Sequence, residues 1–108
     1  MRLRPVLIAG LLLPLLAHAQ DLPTFRLEFN DGKVNLAVIN APAGQRFKIV
    51  VVNKGKSAAE FESLPLRKEK VLAPGSESFV VLGPLSPGEY KFYDEFHMTT
   101  TQGVIVVK

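Results

Sequence analysis

The sequence predicts an all-β domain, a Greek-key sandwich of about six to eight short strands, with a partly open small barrel as the alternative. Three observations lead there. Apolar residues recur with a period of two rather than 3.6. Gly, Pro and Asn-Asp clusters punctuate the chain every several residues. After residue 20, no segment has the pattern of a long amphipathic helix.

The elements follow in order. Phe25, Leu27 and Phe29 alternate with Arg26 and Glu28, a half-buried strand closed by the turn Asn30-Asp31-Gly32. Val34, Leu36 and Val38 alternate again, up to the break Ala41-Pro42-Ala43-Gly44. Phe47, Ile49 and Val51 form one face of the next strand; Val50 and Val52 make it apolar on both sides, and Asn53-Lys54-Gly55 ends it. Residues 56 to 70 are less regular. The segment from Ser57 to Ser63 reads either as one helical turn or as a short extended piece, and Pro65 disfavours a long helix. Ala73-Pro74-Gly75 is a turn, Ser78 to Leu82 a strand, Gly83 to Gly88 a link, Glu89 to Tyr93 a strand, and Gly103 leads into a last strand through Val107.

Residues 1–19 have the form of a cleavable secretory signal. Arg2 and Arg4 precede the apolar run Val6 to Leu16, and Ala17-His18-Ala19 sets small residues where a signal peptidase reads, so cleavage is expected after Ala19. The run is short and is interrupted by Gly10 and Pro14, which suits it poorly to spanning about 30 Å of hydrocarbon. The expected working domain is 20–108, periplasmic and soluble. Without Arg2 and Arg4, 11 basic side chains face 10 acidic ones, a net charge of +1 rather than the +3 of the whole chain. No basic stripe with interleaved aromatics appears, which argues against nucleic acid as a partner. There is no cysteine, hence no disulfide and no thiolate ligand.

Three clusters could carry chemistry. Glu60-Phe61-Glu62 places two carboxylates on one side of an extended chain; they could hold a cation or form a solvated rim beside Arg67 and Lys68. Asp94-Glu95-Phe96-His97-Met98 gathers two carboxylates, an imidazole and a thioether after a strand, and reads either as a metal loop or as a polar loop with a core methionine. Glu69 could form a surface ion pair with Lys70 or be a further carboxylate turned inward. No Gly-x-Ser-x-Gly motif and no phosphate-binding glycine loop is present, so no catalytic residue is assigned.

Tyr90-x-Phe92-x-Asp94-x-x-His97 followed by Gly103-Val104-Ile105-Val106 resembles the C-terminal copper loop of the cupredoxins, with Asp94 where a blue-copper protein has its cysteine. Pro87-Gly88-Glu89-Tyr90 is similar to the turn that introduces that loop. Ala41-Pro42-Ala43-Gly44 with Phe47 to Asn53 is similar to the family's Pro-Ala-Gly turn and the strand after it. The loop from His97 to Gly103 is one residue shorter than the common one, and Met98 adjoins the histidine. Glu60 to Ser63, Glu69-Lys70 with Pro74-Gly75, Leu85-x-Pro87-Gly88-x-Tyr90 and Asp94 to His97 resemble the EfeO-type domains and the periplasmic cupredoxins of bacterial ferrous-iron uptake systems. That resemblance implies copper or iron bound without a blue-copper site. It suggests Glu60, Glu62, Glu69, Asp94, Glu95, His97 and Met98 as ligands, supported by residues such as Lys70 or Tyr93. It further implies an accessory role in iron transport beside an iron permease or a periplasmic iron-binding protein, with oxidation of ferrous iron through bound copper as the enzymatic version. The competing expectation is a metal-free structural or protein-interaction sandwich.

Overall fold

The alternating stretches form nine strands in a computed structural model that describes residues 21–108. The expected signal segment and its expected cleavage point lie outside those residues. The strands are β1 Thr24–Asn30, β2 Lys33–Val34, β3 Val38–Ala41, β4 Phe47–Asn53, β5 Ala59–Ser63, β6 Lys68–Leu72, β7 Glu77–Leu82, β8 Gly88–Asp94 and β9 Gly103–Val107. They build a four-stranded sheet in the order β2-β1-β4-β7 and a five-stranded sheet in the order β3-β9-β8-β5-β6. The pairs β1–β4 and β3–β9 are parallel and the others antiparallel. Parallel neighbours need a crossover, and here the chain makes it by passing from one sheet to the other. The fold is the sandwich expected from the period-two pattern. Among the described residues, no helix is long and apolar enough to cross a membrane.

The core is the seam between the two inner faces. Leu27, Phe29, Phe47, Ile49, Val51, Val80 and Leu82 from one sheet meet Ile39, Ala41, Ala59, Phe61, Leu72, Phe92, Ile105 and Val107 from the other. Phe61 stacks on Phe92 with ring centroids 5.8 Å apart, worth about 0.5–1.5 kcal/mol beyond area burial. Gly103 is required beside the Phe92 ring, since a Cβ there would collide with it.

Three local readings are corrected or resolved. Val34, Leu36 and Val38 do not share one strand face. The chain leaves the first sheet after Val34 and enters the second at Val38, so Val38 is half exposed and Ile39 and Ala41 are the buried pair; a one-residue change of phase reverses the inward set. The segment around Glu60 is extended, not helical, because β5 is an inner strand of its sheet between β6 and β8. Residues 68–72 form a strand where the sequence shows none. This is an edge strand whose inner positions opposite Ser63 and Phe61 are Lys68 and Lys70, a common way to keep a sheet edge from pairing with another chain.

Asn30-Asp31-Gly32-Lys33 closes β1 onto β2 as a two-residue hairpin, with φ of 43° at Asp31 and 90° at Gly32. Two consecutive positive φ values define the turn type that matches strand twist, and Asp-Gly is the favoured pair for it. This hairpin borders the site.

Candidate metal centre

Register on β5 and β6 decides where the first carboxylates go. Ala59, Phe61 and Ser63 point into the core, so Glu60 and Glu62 project from the outer face of the five-stranded sheet. Glu62 stands directly opposite Glu69 on β6, and Tyr93 of β8 is its partner on the other side. One oxygen from each of Glu60, Glu62 and Glu69 lies within 4.8 Å of the other two. A cation with metal–oxygen distances of about 2.0–2.6 Å bridges donors up to roughly twice that far apart, so one ion can reach all three.

Among the described residues nothing neutralises this cluster. Like charges directly opposite across two strands destabilise a sheet, yet among the described residues none of the three carboxylates makes an ion pair. Glu69 does not pair with Lys70, since Lys70 and Lys68 sit at positions of the opposite face. Partial burial, then Glu69, Glu62, Glu95 and Asp94 in that order, raise the Glu60 carboxyl above its ordinary value. Burial followed by Glu69 and Glu95 does the same to Glu62. Burial, Glu95 and Glu62 raise the Tyr93 phenol. Glu95, on the turn after β8, adds a further negative charge within electrostatic reach of Glu60, Glu62 and Tyr93. The strand carrying Glu60 and Glu62 is fixed from below by the buried Phe61–Phe92 stack.

Asp94 goes elsewhere. It pairs with Phe61, faces inward at the end of β8, and is fully buried. Its Oδ1 accepts from the backbone N–H of Glu60 at 2.9 Å and of Phe96 at 3.0 Å, and its Oδ2 lies 2.9 Å from His97 Nδ1. Asp94 thereby caps the 3-10 turn Glu95–His97. Buried Thr101 closes the same loop: its hydroxyl accepts from the Asp94 N–H at 2.8 Å and donates to the His97 carbonyl at 2.7 Å. The His97 ring reaches across to the β1–β2 hairpin, where its Cδ2 stands 3.4 Å from the position a Cβ on Gly32 would take. Asp31 ties that hairpin to the β4–β5 loop, accepting from the N–H groups of Lys56 and Ser57 and from the Ser57 hydroxyl at 2.7 Å. Met98 and Phe96 are about half exposed on either side of His97.

The seven candidates thus fall into two groups. Glu60, Glu62 and Glu69 share a negative outer face, with Glu95 on the turn that follows β8. Asp94 and His97 form a hydrogen-bonded couple at the end of the sandwich, with Met98 exposed beyond them. The two groups meet at Glu60, whose side chain belongs to the first and whose N–H serves the second. Thr101, Asp31 and Gly32 shape the loop end and were not singled out as site residues; the Asp-Gly turn signal marked two of them, whereas Thr101 sits in an undistinguished run of threonines. The donors present are carboxylate oxygens, one imidazole and the exposed Met98 thioether, with no thiolate. The oxygens and imidazole fit Fe²⁺, Fe³⁺ or Cu²⁺, and of all these donors only the thioether is of the soft kind that Cu⁺ favours.

Residues 4–107 match the family model of the cupredoxin-like domain. An uncharacterised protein of Rickettsia prowazekii (strain Madrid E) is 30% identical over 82 residues, which cover 76% of this chain and 66% of that one; the chain spans just under two thirds of that relative's length. Among solved structures, reduced auracyanin of Roseiflexus castenholzii superposes with a TM-score of 0.68 at 14% identity, over 79% of this chain and 96% of that one. The metal-binding domain of the Cu(I)-exporting P-type ATPase of Streptococcus pneumoniae D39, solved with Cu(I), gives 0.67 at 15%, over 79% and 84%. A purple cupredoxin from Nitrosopumilus maritimus gives 0.60 at 16%, over 78% and 99%. At these identities the likeness is one of fold.

Proposed function

Since the chain belongs to the cupredoxin-like domain family, we propose that it is an exported, periplasmic metal-binding protein that handles iron or copper in support of iron transport. One observation carries the reading: three unpaired carboxylates converge within 4.8 Å on one rigid sheet face. A sheet keeps directly opposed like charges at a cost of about 0.2–1 kcal/mol, and a bound cation removes that cost. Relatives in fold that are named for copper support metal handling, and the carboxylate donors favour a hard ion over the thiolate-bound copper of electron-transfer sites.

On this reading iron is cargo. Glu60, Glu62 and Glu69 hold it, Glu95 adds negative charge, and carboxylate donors stabilise the ferric state over the ferrous. His97 is the one imidazole of the described domain and the natural donor for Cu²⁺. Export rests on Arg2, Arg4, the apolar run and Ala17-His18-Ala19. Partners of this class are an iron permease or a periplasmic iron-binding protein.

Calorimetric titration of the metal-free protein with Fe²⁺ and with Cu²⁺ tests the proposal. At least one ion is expected to bind tighter than about millimolar, which corresponds to roughly −4 kcal/mol, and Glu60→Gln with Glu62→Gln is expected to weaken iron binding. Binding weaker than that for both ions contradicts it and leaves a metal-free interaction sandwich. The enzymatic extension is tested separately: copper-loaded protein that oxidises Fe²⁺ no faster than buffer has no ferroxidase activity, and the binding role stands.

A further inference from the structure

Asp94 occupies the position at which the family resemblance places a copper-binding cysteine, yet its oxygens are already committed. Oδ1 accepts two backbone N–H bonds, from Glu60 at 2.9 Å and Phe96 at 3.0 Å. Oδ2 faces His97 Nδ1 at 2.9 Å. The carboxylate is fully buried and the imidazole about 29% exposed. With Oδ1 accepting two N–H bonds, the carboxyl group presents Oδ2 as an acceptor as well, which makes Nδ1 the donor of the third bond. A neutral imidazole protonated at Nδ1 has its lone pair on Nε2.

We propose that Asp94 is a positioning residue and not a metal ligand: it holds His97 in the Nδ1–H form, so that Nε2 is the nitrogen His97 offers to a cation. The metal role of His97 rests on the function proposed above; the protonation pattern does not. The arrangement is the carboxylate–histidine pairing that fixes the orientation of metal-binding imidazoles and raises their basicity. A sulfur at residue 94 would leave Nδ1 without this strong acceptor. The backbone bonds from Glu60 and Phe96 tie the couple to the start of β5, from which the carboxylate face projects, and Thr101 bonded to the His97 carbonyl at 2.7 Å fixes the backbone from which the ring projects.

The geometry makes Asp94→Asn a sharp probe. The N–H groups of Glu60 and Phe96 require an oxygen at the Oδ1 position, which forces the amide nitrogen to face His97. The amide can only donate, so Nδ1 must become the acceptor and the proton must move to Nε2; an aspartate-to-asparagine change beside a catalytic histidine produces the same wrong tautomer in serine proteases.

The test is a two-bond ¹H–¹⁵N correlation spectrum of the ¹⁵N-labelled, metal-free protein at about pH 9, where an ordinary imidazole is neutral. The wild-type His97 is expected to show a protonated Nδ1 and an unprotonated Nε2, and Asp94→Asn the reverse. A protonated Nε2 in the wild type overturns the proposal without recourse to any variant, as does an unchanged pattern in Asp94→Asn. In Cu²⁺ titrations, Asp94→Asn and His97→Ala are expected to weaken binding alike, by about 10- to 100-fold; weakening by His97→Ala alone overturns the positioning role. If the wild type binds no Cu²⁺ but shows the expected tautomer, the metal reading fails and the positioning of His97 by Asp94 is upheld.

Discussion

Glu62 and Glu69 face each other across β5 and β6 without a counter-ion, and the physics of that pair decides how the protein responds to protons and metal. The Glu62 carboxyl is raised by partial burial, then by Glu69 and Glu95. A carboxyl whose folded value is raised binds protons more tightly in the folded state than in the unfolded one. Stability is therefore lower where the group is ionised and recovers as pH falls through the raised value. Metal and protons compete for the same oxygens, so metal affinity falls over that same window. Glu62→Gln is expected to stabilise the metal-free protein by a few tenths to about 1 kcal/mol while weakening metal binding; chemical denaturation with and without the ion measures both. A purely structural face would show the first change without the second.

Residue types and spacing made this cluster visible in the sequence. Glu60 and Glu62 share a face whenever the segment is extended, and Glu69 stood out beside Lys70 before the resemblance named it as a ligand. The fate of Asp94 was not visible. Its inward direction follows from β8 running one residue further than the apolar pattern shows, and its burial is sustained by the Glu60 N–H, 34 positions away in sequence.

At the scale of elements, alternation located β1, β4, β7, β8 and β9, misphased β3, left β5 open between a helical turn and an extended piece, and missed β6. Lys68 to Leu72 offers a single fully buried apolar residue, Leu72, and is a strand only because β5 supplies its hydrogen bonds. Alternation was equally blind to the change of sheet between β2 and β3, since Val34, Leu36 and Val38 continue the apolar pattern while the buried set shifts by one residue to Ile39 and Ala41. Turn chemistry read more truly. Asp-Gly gives the hairpin, and its aspartate does a second task in bonding to the β4–β5 loop. The Ser57 hydroxyl, then the N–H groups of Lys56 and Ser57, hold the Asp31 carboxyl below its ordinary value. For a lowered value the stabilising contribution is present above the unfolded-state value near 3.8 and is lost as pH falls through the folded one. Asp31→Ala is expected to speed hydrogen exchange at the Lys56 and Ser57 amides near neutral pH and to abolish the acid-dependent loss of their protection. Unchanged exchange at those two amides would show that the clamp does not hold the loop.

For the molecule as a whole, the fold separates two tasks that the sequence runs together. The sandwich end carries a buried, fully bonded Asp94 that orients His97. The outer face of β5 and β6, one strand layer away, carries carboxylates whose charge nothing in the described domain offsets. A domain of this kind can keep its loop ordered without metal while leaving the carboxylate face open to an ion. The most direct measurement is paramagnetic broadening in ¹H–¹⁵N spectra as Cu²⁺ or Fe³⁺ is added below one equivalent. The result expected is that signals of Glu60, Glu62 and Glu69 broaden first with Fe³⁺, while β1 and β7 on the other sheet stay sharp. Uniform broadening, or broadening centred away from β5 and β6, would contradict the assignment of the metal face.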